Sequence, residues 1–192
     1  KCFISVDLEK ANFQALKYSG VVQDDTYEDL IYRYDGGEYI ARSKYLRQVI
    51  FGKLNPKRTI TVERFLINQV KEHLPSALKL FSFGNDELIY EYHDLIDFEA
   101  IRENIQESLG IKVHIEPVYI KKLNILNSRG SEVEAYVRKN LLTGKEKLKK
   151  ASTTFFPQIY KLWKGLDIIN ADRQFFCEDQ IATFNEPLIL KE

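Results

Sequence analysis

Cys2-Phe3-Ile4-Ser5-Val6-Asp7 is an apolar run closed by a carboxylate, and from Leu8 to Tyr18 the apolar positions shift to helical spacing. Leu8, Ala11, Phe13, Ala15 and Leu16 recur there, and Ser19-Gly20 closes the segment, so a strand followed by a helix is expected. Asp24-Asp25-Thr26 offers a cap for a short helix from Tyr27 to Tyr34, ended by Gly36-Gly37. Tyr39 to Phe51 reads as a longer helix with Ile40, Leu46, Val49 and Ile50 on its buried side, followed by Gly52 and an Asn55-Pro56 turn. Thr61 is expected to cap a further helix through His73 that buries Val62, Phe65, Leu66, Gln69 and Val70, with Pro75 as its stop.

Beyond Pro75 a hairpin is expected, Leu78 to Phe83 and Leu88 to Tyr92 turning through Gly84-Asn85. Asp97 caps a helix from Phe98 to Leu109, with Phe98, Ile101, Ile105 and Leu109 at helical spacing and Gly110 behind it. Ile111, Val113 and Ile115 then alternate with Lys112, His114 and Glu116, a half-buried strand expected to end at Pro117. With the helices from Thr26 to Pro75 taken as an insertion, the order is βαββαβ. That order folds into an antiparallel four-stranded sheet with two helices on one face, the ferredoxin-like arrangement.

After Asn127-Ser128-Arg129-Gly130 the pattern changes. Val133 to Leu142 and Glu146 to Ala151 read as strands joined at Thr143-Gly144, Pro157 to Trp163 as a helix, and Phe175-Phe176 and Ile181 to Phe184 as short strands. The expected fold class is α+β. A first domain covers residues 1–127 with a helical insertion at about 24–76, and a small α+β lobe of residues 128–192 packs on it.

The 192 residues suffice for one core domain with an appended lobe. No apolar run approaches the ~18 residues of a membrane span, and neither a basic leader nor a small-residue cleavage site opens the chain. A cytoplasmic protein without a membrane segment is expected, with Cys2 and Cys177 as reduced thiols. Net charge is zero, which argues against coating nucleic acid by charge alone. The charge is nonetheless uneven. Glu38 to Pro75 holds eight basic residues against three acidic, and Leu78 to Pro117 three basic against nine acidic. A cationic segment faces an anionic one, as a phosphate-gripping lobe over a metal-binding sheet requires; solvated faces of amphipathic helices are the plainer explanation.

If the first strand lies beside the hairpin, Asp7 and the Asp86-Glu87 pair meet at one sheet edge and supply hard oxygen ligands for Mg²⁺ or Mn²⁺ next to a phosphate site. Singly, each carboxylate is an ordinary turn former. Jointly, they are a condition that turn preferences do not produce. His73, His93 and His114 have no metal-ligand spacing, and the chain has no phosphate-binding glycine loop, dinucleotide fingerprint or serine elbow.

Ile4-Ser5-Val6-Asp7-Leu8-Glu9, an aromatic at Phe13, and Gly84-Asn85-Asp86-Glu87 on a hairpin together resemble the palm domains of polymerases and related nucleotidyltransferases, most nearly the Y-family translesion DNA polymerases. The family's Ser-x-Asp-Glu is replaced by Gly84-Asn85-Asp86-Glu87, and Asn12 or Phe13 occupies the region that excludes ribose hydroxyls. The resemblance implies a ferredoxin-like palm with metal-dependent nucleotidyl transfer. Asp7 and Asp86 would bridge two Mg²⁺ ions, Glu87 would help the ion that activates the 3′-hydroxyl, and the Leu8 carbonyl would complete one coordination sphere. The insertion stands where fingers would be. Its Arg42, Lys44, Tyr45, Arg47, Lys57 and Arg58 become candidates for the nucleoside triphosphate, and Lys121 and Lys122 for its phosphates or a primer backbone. Two other classes stay open: a non-catalytic module of palm-like fold that grips nucleic acid or a protein, and a structural or assembly protein of phage origin.

Overall fold

A computed structural model describes residues 1–52, 56–92 and 97–191. The fold is α+β. Its contacts divide it into two compact units, one of Phe3–Glu116 and one of Lys1–Cys2 with Pro117–Glu192.

In the Phe3–Glu116 unit, β1 (Cys2–Leu8) pairs antiparallel with β3 (Glu87–Glu91), which pairs antiparallel with β2 (Leu80–Phe83). The first residues of β4 (Val113–Lys122) take the other side of β1, so the strand order is β2-β3-β1-β4. Period-2 alternation sorts β1 into two faces. Ile4, Val6 and Leu8 enter a core with Leu88 and Tyr90 of β3, whereas Ser5 and Asp7 stand opposite Ile89 and Glu87 on the other face.

Two helices cover the apolar face: α5 (Pro56–His73), through Leu66, Ile67 and Val70, and α6 (Phe98–Leu109), through Ile105. The side chain of Asp97 caps α6 by accepting from the amides of Glu99 and Ala100, and Gly110, at φ 66°, closes it in the left-handed conformation. Burying the Ile67, Leu88 and Ile105 side chains contributes on the order of 2 kcal/mol each.

Between β1 and α5 the chain forms α1 (Ala11–Tyr18), α2 (Tyr27–Arg33), α3 (Glu38–Arg42) and α4 (Lys44–Gly52). A second small core joins them, with the ring of Phe13 edge-on to Tyr27 at 6.2 Å and Tyr27 edge-on to Phe51 at 5.6 Å. Thr26 and Asp29 form a reciprocal capping box at the start of α2.

Four expectations change. The first helix begins at Ala11, not Leu8, because β1 continues to Leu8 and Lys10 turns the corner at φ 49°. The single helix expected over Tyr39 to Phe51 is two, broken at Ser43, whose extended backbone stops α3 and whose hydroxyl accepts from the Leu46 amide of α4. Thr61 caps nothing: α5 starts at Pro56, and the Thr61 hydroxyl donates to the Lys57 carbonyl one turn back. Pro117 does not end β4, which runs to Lys122, because the proline carbonyl accepts from the Leu141 amide and the next residue opens a new ladder. By its contacts the chain divides at Glu116–Pro117. Asn55 of the expected turn and His93 lie outside the described residues.

In the other unit, β4 from Val118 onward pairs antiparallel with β7 (Tyr136–Asn140), and β7 with β8 (Glu146–Lys149). A three-stranded sheet of β11 (Ile189–Leu190), β5 (Ile125–Leu126) and β6 (Glu132–Val133) stands beside a hairpin of β9 (Gln174–Cys177) and β10 (Gln180–Thr183). The helix α7 (Phe156–Lys164) buries Ile159 against Leu123, Ile125, Val133, Ala135, Val137 and Leu188.

Candidate functional site

Asp7 lies near the end of β1 and Asp86 just before β3, and the main chain ties the two together: the Leu8 amide donates to the Asp86 carbonyl at 2.9 Å. Both aspartates line one cavity of about 260 Å³. Leu8, Glu9, Lys10, Ala11 and Asn12 continue its wall from the β1–α1 corner, Lys44, Arg47 and Gln48 enter from α4, Glu63 from α5 and His114 from β4. Two carboxylates far apart along the chain thus converge beside cations of the helical insertion.

Arg47 is held in place by an aromatic ring. Its guanidinium lies 5.5 Å from the centroid of Tyr27, which is fully buried and donates its hydroxyl to the Ile40 carbonyl. Burial pushes the Tyr27 phenol above its ordinary pKa, with Arg47 opposing, so the ring stays neutral under its cation. Lys10 is already paired, its ammonium 2.5 Å from the Glu28 carboxylate. Burial raises the pKa of Glu28, but hydrogen bonding and charge from Lys10 outweigh this and leave it below the ordinary value. Among the described residues neither Lys44 nor Arg47 forms an ion pair, and they are the cavity's available cations.

Glu63 was not expected. Burial first, and the negative charge of Asp86 second, push its carboxyl up to about 7. Its signal in the sequence is a charge in register with the buried positions of α5: Thr59, Glu63, Ile67 and Val70 recur at helical spacing. The stripe read from Val62, Phe65, Leu66, Gln69 and Val70 holds at Leu66 and Val70, which are buried, but passes over Glu63, and its Phe65 is 44% exposed. His114, read as merely pointing outward, lines the same cavity and contacts Glu116 at 3.1 Å.

The other expected residues are dispersed. Glu87 is not among the residues that line the cavity; it pairs across from Asp7 and accepts a 2.6 Å hydrogen bond from Ser5. Phe13 is buried, 4% exposed, in the Tyr27–Phe51 core, which leaves Asn12 on the cavity wall. Arg42 pairs with Glu38 one turn away, and Tyr45 is 73% exposed. Lys57 and Arg58 occupy the exposed first turn of α5. Lys121 and Lys122 belong to the other unit, where Lys122 pairs with Glu132 at 2.5 Å.

Among the described residues, no group of three or more His, Cys, Asp or Glu is gathered so as to hold a metal ion by itself. No described helix is long and apolar enough to cross a membrane. Comparison of the chain with family models, curated proteins and solved structures returned no match.

Proposed function

We propose that Phe3–Glu116 is a ferredoxin-like palm and that its Asp7–Asp86 corner performs metal-dependent nucleotidyl transfer on a nucleoside triphosphate. The observation that carries this reading is the shared cavity, in which Asp7 and Asp86 stand with Lys44 and Arg47. The strand order β2-β3-β1-β4, with α5 and α6 on one face, supports the fold assignment.

The donor set suits Mg²⁺ or Mn²⁺. The candidate ligands are hard oxygens, with no thiolate among the lining residues. Mg²⁺ is ordinarily held by one or two carboxylates together with substrate phosphates and not by an all-protein cage, so two aspartates without a third suffice. Asp7 and Asp86 would hold the ion, which when bound supplies charge stabilisation to an in-line displacement at the α-phosphate. Arg47, oriented by Tyr27, takes two phosphate oxygens with its planar fork, and Lys44 adds a mobile point charge. Asn12 meets the sugar.

Thermal unfolding tests the reading. Mg²⁺ with a nucleoside triphosphate, at about a hundredfold above its Kd, should raise Tm by roughly 5–10 °C over the triphosphate in EDTA, and Asp86→Ala should abolish this metal-dependent rise. A binding module would show no metal-dependent rise, whatever its response to an oligonucleotide. An unchanged Tm in Mg²⁺ or Mn²⁺ with every common nucleoside triphosphate would overturn the proposal.

A further inference from the structure

The unit of Pro117–Glu192 has a cavity of its own, about 390 Å³, within the range of small-ligand sites. Three phenylalanines line it and stack on one another. Phe184 is the middle ring, 4.6 Å from Phe155 at an interplanar angle of 23° and 4.3 Å from Phe175 at 27°. The rest of the wall is mostly polar: Asn127, Ser128, Arg129, Thr183, Asn185 and Glu186. Phe155 at one end packs against the aliphatic core of this unit and Leu188 joins the wall, but amides, two hydroxyls and both signs of charge make up the rest of it.

The polar wall is held in place. The Asn127 side-chain oxygen accepts from the amides of Arg129 at 3.0 Å and Ser131 at 2.9 Å, which fixes the loop that carries Arg129. Arg173 donates to the Asn185 carbonyl at 2.6 Å, and the Phe184 amide donates to the Arg173 carbonyl at 3.0 Å. Neither the Arg129 guanidinium nor the Glu186 carboxylate forms an ion pair among the described residues. A flat apolar wall, a rigid rim, one available cation and one available carboxylate among the described residues are complementary to a planar heterocycle that bears N–H donors and a nearby anion.

We propose that this cavity binds a nucleotide unit, its base stacked on the phenylalanine column and its phosphate on Arg129. Aromatic stacking accepts any base, because each has a π face. Glu186 then favours bases with an exocyclic amino group, such as adenine and cytosine, which donate to a carboxylate. Arg129 is the one phosphate-binding group on this wall, so charge alone does not account for the affinity; the rings must contribute. The unit is supplied either by a free nucleotide or by a single strand, and both share this chemistry.

The test uses the whole chain, in EDTA, with a single-stranded hexanucleotide that carries a fluorescent adenine analogue, and with the corresponding monophosphate. Stacking should quench the fluorescence. Phe175→Ala should weaken binding about tenfold, and Arg129→Ala should weaken it while lowering the slope of log affinity against log salt by about one. Arg129 lies in an exposed turn, so its variant folds even if Phe175→Ala does not. Asp86→Ala should bind as the parent does, which separates this site from the metal site. Equal affinity for monomer and hexamer identifies a free nucleotide, and binding of the hexamer alone identifies a strand. Absence of quenching, or parental affinity and salt slope in Arg129→Ala, overturns the proposal.

Discussion

A carboxylate half-buried beside another carboxylate costs free energy when ionised, and Glu63 is in that position, its pKa moved from an ordinary 4.5 to about 7. The folded-state value lies above the unfolded one, so between those pH values the folded chain holds more protons. Stability therefore falls as pH rises from about 4.5 to about 7 and levels off above. Allowing for partial exposure, the loss is on the order of 1–2 kcal/mol. Glu63→Gln removes the charge and keeps the shape. The variant should match the parent in urea titrations at pH 4 and exceed it by about that amount at pH 8, and an equal gain at both would show that ionisation is not the cause. Asp7 and Asp86 were legible in the sequence because each sits at a change of pattern, the end of an alternating strand and the tip of a hairpin. Glu63 was not, because it lies at the margin of a stripe whose buried positions Leu66 and Val70 are apolar, and a charge there reads as solvent-facing.

The elements around the cavity are set by local signals of unequal clarity. The capping box of Thr26 and Asp29, the Asp97 cap and the Gly110 terminus each satisfy free backbone groups through the residues next to them, and such signals survive in a linear reading. Ser43 belongs with them, since its extended backbone ends α3 and its hydroxyl accepts from the Leu46 amide at the start of α4. Pro117 does not: it lies within a strand whose partner is distant along the chain, and its carbonyl accepts from the Leu141 amide. Gly36 is constrained locally, since a methyl group there would come within 2.7 Å of the Ile31 carbonyl oxygen at the end of α2. Gly36→Ala should cost about 2 kcal/mol, a Tm loss of roughly 4–8 °C, by forcing that turn open. Because α2 carries Tyr27 and Glu28, which hold Arg47 and Lys10, the same variant should weaken nucleotide binding several-fold in a calorimetric titration. An unaltered Tm would mean that the turn yields freely and that Arg47 is not positioned through it.

At the scale of the molecule, zero net charge conceals two differently built surfaces. The Phe3–Glu116 unit sets two aspartates against Lys44 and Arg47, a charge-balanced cavity whose proposed affinity for a triphosphate would depend on a divalent ion. The Pro117–Glu192 unit sets a phenylalanine column beside one arginine and one glutamate, and its proposed affinity would rest on stacking. Of the two, only the first announced itself in the sequence, through a joint pattern of strand ends. The second is assembled from Asn127–Arg129, Phe155, Phe175 and Thr183–Leu188, segments whose elements are too short for periodicity to align them. Different physics at the two sites predicts a double separation of function. Asp86→Ala should lose the metal-dependent thermal response to a nucleoside triphosphate and keep quenching of the labelled hexanucleotide, whereas Arg129→Ala should keep that thermal response and bind the hexanucleotide more weakly. Raising salt from 50 to 200 mM should weaken the hexanucleotide only about two- to threefold, the slope of a single phosphate contact on a single strand. A steeper fall, shared by both variants, would place nucleic acid on the basic helices of the insertion and leave the phenylalanine column as packing.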